Sequence, residues 1–360
     1  MFVPLLLLLL SIGVLVAGAE LLVRGAGRLA HQMGVSNFVI GVTVVGFGTS
    51  APELAASIAS ATTGHAEIAV GNVIGSNIMN IALVLGVTAM IAPIKVDRGI
   101  VRRETLVTIA VSFVPLAALA TQRTIGRIFG VVMTLGLFGF LWWSFASSRR
   151  EGGDTSENED TSSPRPHGAA ALLLDLLMMA GGILLLVGAG DQLVRSATEV
   201  ARGLGVSEVV IGLTIVAGGT SAPELATSLI AVARGRTDLG VGNILGSCVF
   251  NILGILGITA IIIPIEIPVE VFQFDLPVMI FASIACFPIL LTGYQISRVE
   301  GCLLTASFVI YTVMLFAGWP FPANRESSPE PNAAITACPT GHGQEIAASI
   351  HPPPRTSSPS

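Results

Sequence analysis

Charged side chains are scarce in this sequence of 360 residues. Asp, Glu, Lys and Arg make up 11% of the chain, against roughly 25% in soluble domains, while 52% of the residues are hydrophobic. This composition excludes a soluble globular enzyme. The apolar runs have the length of membrane-spanning helices, which satisfy their own backbone hydrogen bonds in lipid, so we expect an all-α integral membrane protein.

Metal-binding and basic residues are few as well. The four cysteines show no CxxC spacing, and the five histidines lie in predicted loops or near the C-terminus, so no transition-metal site is indicated. The net charge of −5 comes with no basic patch, which argues against a nucleic-acid partner. The expected partners are therefore the lipid bilayer and small cations.

Ten apolar stretches are long enough to cross a bilayer, which takes about 20 residues of helix. They cover residues 2–23, 36–63, 67–92, 104–121, 125–146, 171–193, 206–233, 238–263, 271–292 and 297–318. Segments 147–170 and 319–360 are polar and rich in turn-forming residues, which predicts disorder. We expect a first five-helix repeat at 1–146, a disordered loop at 147–170, a second five-helix repeat at 171–318 and a disordered tail.

Lysine and arginine are unevenly distributed between the two sides of this ten-crossing topology. Twelve of the 18 fall on the side that holds segment 147–170. Short basic loops are retained in the cytoplasm. We therefore expect a multi-pass protein of a prokaryotic plasma membrane, with a cytoplasmic 147–170 loop and both termini outside.

The sequence contains one unit written twice, at an offset of 171 residues. Gly48–Ala55 (GTSAPELA) recurs as Gly219–Ala226, and residues 70–76 (VGNVIGS) recur as 241–247 (VGNILGS). The match runs without a gap from about residue 16 to residue 93. Equivalent helices are five crossings apart, an odd number, so the two copies must enter the membrane from opposite sides. Such inverted repeats are typical of secondary transporters.

Glu53 and Glu224 occupy equivalent positions near the middle of two apolar crossings. A carboxylate is costly in lipid and by default marks an ion or substrate path. Each follows a proline, which lacks an N–H and opposes the carbonyl four residues earlier, so we expect both helices to be broken just before the glutamate. Freed carbonyls and neighbouring hydroxyls suit a hard cation such as Ca²⁺ or Na⁺.

The following crossing in each half supplies amides and hydroxyls. Ser76 and Asn80 are four residues apart, so both lie on one helix face, which would oppose the broken helix. Asn72 and its equivalent Asn243 share that face. Small and amide residues also hold transmembrane helices together, and we leave these two asparagines out of the site.

The motifs GTSAPE followed by GNVIGSNIMN, and GTSAPE followed by GNILGSCVFN, closely resemble the two alpha-repeats of the cation/calcium exchanger superfamily. The resemblance covers about residues 1–318. It implies a ten-helix antiporter with a diamond of cation sites between the second, third, seventh and eighth helices. Some relatives, especially potassium-dependent ones, carry an aspartate in place of Asn80 or Asn251, and its absence here argues against potassium dependence.

Carried over residue by residue, the resemblance implies a ligand set drawn from both repeats. The central carboxylates are those of Glu53 and Glu224, and the middle of the site is lined by Asn80 and Asn251. The implied backbone oxygens belong to Gly46, Thr49, Ala217 and Thr220, and the implied side-chain ligands are Ser50, Ser76, Ser221 and Ser247.

The first and sixth crossings carry two further acidic residues of the repeat. Glu20 and Asp191 precede Arg24 and Arg195 by four residues, which is the spacing of a helical ion pair, so we leave them out of the site. Both crossings are rich in glycine and offer small-residue surfaces for close packing. The resemblance implies that these two helices slide across the other eight to alternate access.

The charge of the site predicts exchange. Two glutamates contribute −2, which one Ca²⁺, two monovalent cations or two protons would balance, so these occupancies exclude one another. We expect an antiporter that exchanges Ca²⁺ for Na⁺ by alternating access, with no enzymatic activity and no resident cofactor. The alternatives are an H⁺-driven exchanger of Ca²⁺ or another divalent cation and a cation channel, for which the polar groups are too centrally clustered. An intramembrane hydrolase would need a base beside Ser50 or Ser221, which the sequence does not supply.

Overall fold

Helices account for nearly all of the computed structural model, which describes residues 2–95, 98–150, 169–205, 217–291 and 293–317. The helices are α1 (Phe2–Met33), α2 (Asn37–Thr49), α3 (Ala51–Thr62), α4 (Ala66–Ile91), α5 (Arg98–Ser112), α6 (Arg127–Arg150), α7 (Ala169–Gly203), α8 (Ala217–Thr220), α9 (Ala222–Ala233), α10 (Thr237–Ile262), α11 (Leu276–Leu291) and α12 (Arg298–Phe316). A 3₁₀-helix, Val114–Thr121, follows α5, and a π-helical turn, Val271–Asp275, leads into α11.

Eight helical spans within the described residues are long and apolar enough to cross a membrane, and the bent pair α2–α3 forms a ninth. Helix α9 is a shorter apolar helix. Residues 206–216 lie outside the described part, so the predicted seventh crossing is seen only in its second half. The most buried spans are α4 and α10, which form the centre of the bundle.

Helices α1 and α7 are longer than hydropathy predicts. They end at Met33 and Gly203, whereas the apolar stretches were expected to end at residues 23 and 193. Polar residues beyond the apolar run continue each helix until Gly34 and Gly205 adopt left-handed backbone angles, with φ of +64° and +78°. Glycine takes this conformation without strain and commonly ends helices in this way.

The predicted central loop, 147–170, is shorter at both ends. Helix α6 continues to Arg150 and α7 begins at Ala169, so residues 147–150 and 169–170 are helical. Residues 151–168 and the predicted tail, 319–360, lie outside the described residues, and their disorder stays a prediction.

The repeat is visible in the backbone. All described residues with positive φ fall into four pairs that are 171 apart: Gly34 and Gly205, Gly64 and Gly235, Gln122 and Gly293, and Arg123 and Tyr294. The sequence motifs predicted no strands, yet the structure contains two short antiparallel strand pairs that are equivalent under the 171-residue offset. These are β1 (Ile94–Lys95) with β4 (Gln295–Ile296), and β2 (Thr124–Ile125) with β3 (Ile265–Glu266). Each pair joins one repeat to the other. The repeat therefore extends beyond residue 93 into the later helices of each half.

Equivalent glycine contacts bring helices together in both halves. A Cβ on Gly301 of α12 would lie 2.7 Å from the carbonyl oxygen of Gly86 in α4. A Cβ on Gly130 of α6 would lie 2.6 Å from the carbonyl oxygen of Gly257 in α10. These four glycines form two pairs that are equivalent under the 171-residue offset. No other residue would permit such close helix crossings.

Helices α1 and α7 pack against each other through Gly18 and Gly182, where a Cβ on Gly182 would meet the Gly18 carbonyl at 2.8 Å. The predicted ion pairs are confirmed, with Arg24 donating to Glu20 at 2.5 Å and Arg195 to Asp191 at 2.9 Å. The small-residue surface at Gly18 and Gly182 therefore joins the two helices to each other.

Candidate cation site

Each of the two glutamate helices begins at a break. Helices α2 and α3 meet at an angle of 43° around Ser50, whose φ and ψ of −85° and 3° are not helical. Ser221, between α8 and α9, has nearly the same angles, −91° and 9°. The following prolines, Pro52 and Pro223, lie in the first helical turn, where a missing N–H leaves no hydrogen bond unmade. The predicted breaks before both glutamates are confirmed.

The carboxylates of Glu53 and Glu224 lie in the first turns of α3 and α9, and each residue is 1% exposed. The positive end of a helix dipole favours an ionised carboxylate at this position. The Ser50 hydroxyl of one repeat donates to Glu224 Oε1 of the other at 3.3 Å. Among the described residues no arginine or lysine forms a salt bridge with either glutamate, so the ionised pair carries −2.

Several buried oxygens of the predicted ligand set have no hydrogen-bond partner among the described residues. They are Glu53 Oε1 and Oε2, Glu224 Oε2, Asn80 Oδ1, Asn251 Oδ1, Ser221 Oγ and Ser247 Oγ. A buried polar atom without a partner costs about 1–3 kcal/mol. Oxygen atoms of this kind are the ligands that Ca²⁺ and Na⁺ prefer, and a bound cation would satisfy several of them at once.

The backbone ligands expected from the resemblance are less uniform. The Gly46 carbonyl accepts a hydrogen bond from the Ser50 N–H at 3.1 Å and from the Thr49 hydroxyl at 3.4 Å. The Thr49 hydroxyl also donates to Asn243 Oδ1 at 3.2 Å. Ala217 and Thr220 are the first and last residues of α8. The ligand set as a whole stays a prediction.

Asn72 and Asn243 hold the glutamate helices in place. Asn72 Nδ2 donates to the Glu53 backbone carbonyl at 3.2 Å and to Ser57 Oγ at 2.9 Å. Asn243 Nδ2 makes the equivalent bonds to the Glu224 carbonyl at 3.4 Å and to Ser228 Oγ at 3.0 Å. Asn72 and Asn243 therefore position the carboxylates through the backbone. Ser57 and Ser228 are also equivalent in the two repeats. This repetition in the sequence could have indicated that Asn72 and Asn243 have a positioning role.

Asn80 and Asn251 both lie on π-helical turns, Met79–Val84 of α4 and Phe250–Leu256 of α10. Such turns shift side chains out of the regular helical register and are frequent at functional sites. Asn251 Nδ2 donates to Asn77 Oδ1 at 3.0 Å, and Asn77 Nδ2 donates to the Cys248 carbonyl at 3.2 Å. Asn77 and Cys248 are equivalent positions, so this contact lies at the pseudo-twofold axis. The sequence comparison did not identify Asn77 because its equivalent is a cysteine.

A cavity of about 600 Å³ reaches the site from one side. Its lining runs from Ile68 and Leu315, which are exposed, to Ser76, which is buried, and includes Thr220. Ser76 and Thr220 belong to the predicted ligand set. The cavity therefore borders part of the predicted ligand set.

The opposite side is sealed by helix packing. A Cβ on Gly242 of α10 would lie 2.4 Å from the Phe38 carbonyl of α2, and one on Gly246 would lie 2.5 Å from Val42 Cα. At the equivalent glycines of α4, Gly71 and Gly75, no described atom comes within 4 Å of such a Cβ. The residues equivalent to Phe38 and Val42 are 209 and 213, which lie outside the described residues.

Comparison with known proteins agrees with this geometry. The family described as sodium/calcium exchanger protein matches residues 3–146 and 174–317. The chain belongs to this family. It is a multi-pass membrane transporter of the cation/calcium antiporters and not an enzyme.

Relatives of the exchanger family match along almost their whole length. The candidate antiporter CaxA of Alkalimonas amylolytica is 37% identical over 88% of this chain and 100% of its own length. The sodium/calcium exchanger MaX1 of Methanosarcina acetivorans is 34% identical, over 86% and 98%. A structure of the sodium-calcium exchanger NCX_Mj superposes with a TM-score of 0.74 at 30% identity, covering 87% of this chain and 99% of that one. The fold is therefore the exchanger fold of ten helices in two inverted repeats, as predicted.

Proposed function

We propose that this exchanger-family protein exchanges Ca²⁺ for Na⁺ across a prokaryotic plasma membrane. The observation that carries the proposal is the buried pair Glu53 and Glu224, which has no basic partner among the described residues. Further buried oxygens of the predicted ligand set in both repeats are unpaired as well. One Ca²⁺ would neutralise the pair and would satisfy oxygens that otherwise cost free energy. Sodium ions would do the same, so the two occupancies exclude each other.

The proposed ligands are those inferred from the sequence. The carboxylates bind the divalent ion at the centre, Asn80 and Asn251 line the middle, and the hydroxyls and backbone oxygens of both breaks complete the monovalent sites. Alternating access follows if α1 and α7 move relative to the other helices only when the pair is neutralised. A channel would not need this condition, because its site would be open to both sides.

The orientation is part of the proposal. The positive-inside rule places residues 151–168 in the cytoplasm and the loop 63–65 outside. The cavity would then face the exterior. The structure of NCX_Mj is described as one of extracellular ion exchange, and YrbG of Escherichia coli, which is 34% identical to this chain, is described as an inner membrane protein.

The test is ⁴⁵Ca²⁺ uptake into proteoliposomes that hold the purified full chain. With Na⁺ inside and none outside, and with the membrane potential clamped by valinomycin and K⁺, we expect rapid uptake that stops when the Na⁺ gradient is dissipated. Liposomes loaded at acidic pH without Na⁺ provide the comparison. Uptake driven only by the proton gradient would assign the protein to H⁺-driven exchange. Uptake that needs no opposing ion would indicate a channel.

A further inference from the structure

Asp275 lies in the same cavity that reaches the cation site, and the proposed mechanism gives it no role. It ends the π-helical turn that leads into α11, and it lines the cavity together with Tyr311, Ser76 and Thr220. Asp275 is the sole acidic side chain in the described lining, which is otherwise mostly apolar. A cation that enters through this cavity would meet the carboxylate in the same lining as Ser76.

Tyr311 holds this carboxylate in place. The Tyr311 hydroxyl donates to Asp275 Oδ1 at 2.7 Å, and no described basic residue forms a salt bridge with Asp275. The tyrosine ring stacks at 6.0 Å on Phe274, the residue before the aspartate. The hydrogen bond uses one carboxylate oxygen and leaves the negative charge unneutralised. In a cavity with apolar walls, such a charge attracts cations more strongly than it would in open water.

The first repeat carries a carboxylate at the equivalent position. Glu104 of α5 is 171 residues before Asp275. It is 1% exposed and lies 3.2 Å from the Arg103 guanidinium. The two equivalent carboxylates therefore have different surroundings, since Asp275 lines the cavity while Glu104 is buried beside Arg103.

We propose that Asp275 is the residue that admits Ca²⁺ or Na⁺ into the cavity, and that Glu104 has the same role for the opposite side when that side opens. The carboxylate binds the incoming hydrated cation briefly and raises its concentration near Ser76 and Thr220. Tyr311 is a positioning residue that fixes the carboxylate orientation. This inference rests on the proposed cation exchange, but it concerns entry to the site.

The experiment measures Ca²⁺ uptake kinetics in right-side-out and everted membrane vesicles of wild type and variants. Asp275→Asn keeps the shape and the Tyr311 contact but removes the charge. We expect the KM for Ca²⁺ from the cavity side to rise about fivefold at low ionic strength, with a much smaller change in the maximal rate. The effect should shrink in high concentrations of a non-transported salt such as choline chloride, because the charge is screened.

Two further variants separate charge from packing. Tyr311→Phe keeps the Asp275 charge and should raise the KM less than Asp275→Asn does. Glu104→Gln should raise the KM only for uptake from the opposite side. Thermal unfolding of each purified variant shows whether the fold is retained.

The proposal is overturned if Asp275→Asn folds normally and its KM matches wild type at both ionic strengths. It is equally overturned if the variant lowers only the maximal rate, since that would mark a structural residue. Failure of the proposed exchange is a different result, because wild-type vesicles would then show no Ca²⁺ uptake that depends on an opposing Na⁺ gradient.

Discussion

Asn72 and Asn243 determine where the two central carboxylates lie, although neither amide reaches a carboxylate. Each amide N–H₂ group bridges a glutamate carbonyl and a serine hydroxyl one turn further along the same helix. The amide thus fixes the start of α3 or α9 against α4 or α10. A carboxylate at the first turn of a helix moves with that turn, so the depth of the proposed ligands depends on these neutral side chains.

The carboxylates themselves give the sharpest prediction at this scale. Replacing Glu53 or Glu224 with Gln keeps the shape and removes one of two charges, so a divalent cation loses half of its neutralisation in a buried site. Ca²⁺ exchange should collapse in either variant. Asn80→Ala and Asn251→Ala remove only neutral oxygens and should weaken transport less. Uptake of ⁴⁵Ca²⁺ by equal amounts of each protein decides this order, and a dead Glu53→Gln beside an active Glu224→Gln would disprove the two-carboxylate site.

Removing the asparagine bridges should affect stability and transport together. Asn72→Ala loses two hydrogen bonds and Asn243→Ala loses three, including the one from the Thr49 hydroxyl, at about 1 kcal/mol per bond. We expect a lower midpoint of thermal unfolding in detergent and slower Ca²⁺ uptake. Ser57→Ala and Ser228→Ala are the matched controls, since each loses one bond and keeps the carbonyl contact. A serine variant as impaired as its asparagine partner would show that the carbonyl bond is unimportant.

At the scale of helices, two arginines in the turn after α9 bind α1. Arg234, in the turn after α9, donates to Glu20 Oε2 at 3.0 Å and lies 2.6 Å from Oε1. Arg236 donates to the Val23 carbonyl at 2.6 Å. The equivalent positions in the first repeat are Thr63 and His65, and the Asp191–Arg195 pair of α7 is mostly exposed, at 61% and 70%. These contacts lie on the sealed side and hold α1 in the arrangement described here.

Weakening the contact between Arg234 and Glu20 should shift the protein away from the arrangement in which the cavity is open. Glu20→Gln removes the charge that pairs with Arg24 of the same helix and with Arg234. The partly exposed Arg234 pair is worth at most about 1 kcal/mol, which is about fivefold in the ratio of two states. In a cysteine-free background, a Ser60→Cys probe in the cavity should then react more slowly with an impermeant maleimide. Arg195→Gln, which breaks the exposed pair on α7, is the control and should leave the rate unchanged. Equal rates in Glu20→Gln and its parent would mean that the Arg234 contact does not set this equilibrium.

On the scale of the whole molecule, the sequence predicts the repeat and its breaks better than it predicts the packing. Doubled motifs with Pro52 and Pro223 were sufficient to place both broken helices, because proline acts on the local backbone. The predicted ends of α1 and α7 were ten residues too early. Hydropathy indicates which residues contact lipid, whereas a helix can continue beyond the lipid. The strand pairs and the open cavity could not be predicted from local sequence at all. Each strand pair joins the two repeats, and the cavity is lined by residues that are far apart in the sequence, such as Ser60 and Tyr311.

The inverted arrangement yields a final prediction about orientation. Thr63 and Arg234 are equivalent residues in exposed turns, and an odd number of crossings separates them, so they must face opposite sides of the membrane. The basic side is retained in the cytoplasm, which places Thr63 outside with the cavity and Arg234 inside. In a cysteine-free background, an impermeant maleimide applied to intact cells should label Thr63→Cys but not Arg234→Cys, and everted vesicles should show the reverse. A cysteine at Thr155 should behave like Arg234→Cys. Labelling of Arg234→Cys in intact cells would reverse the orientation and would turn the cavity and Asp275 toward the cytoplasm, while leaving the inverted fold intact.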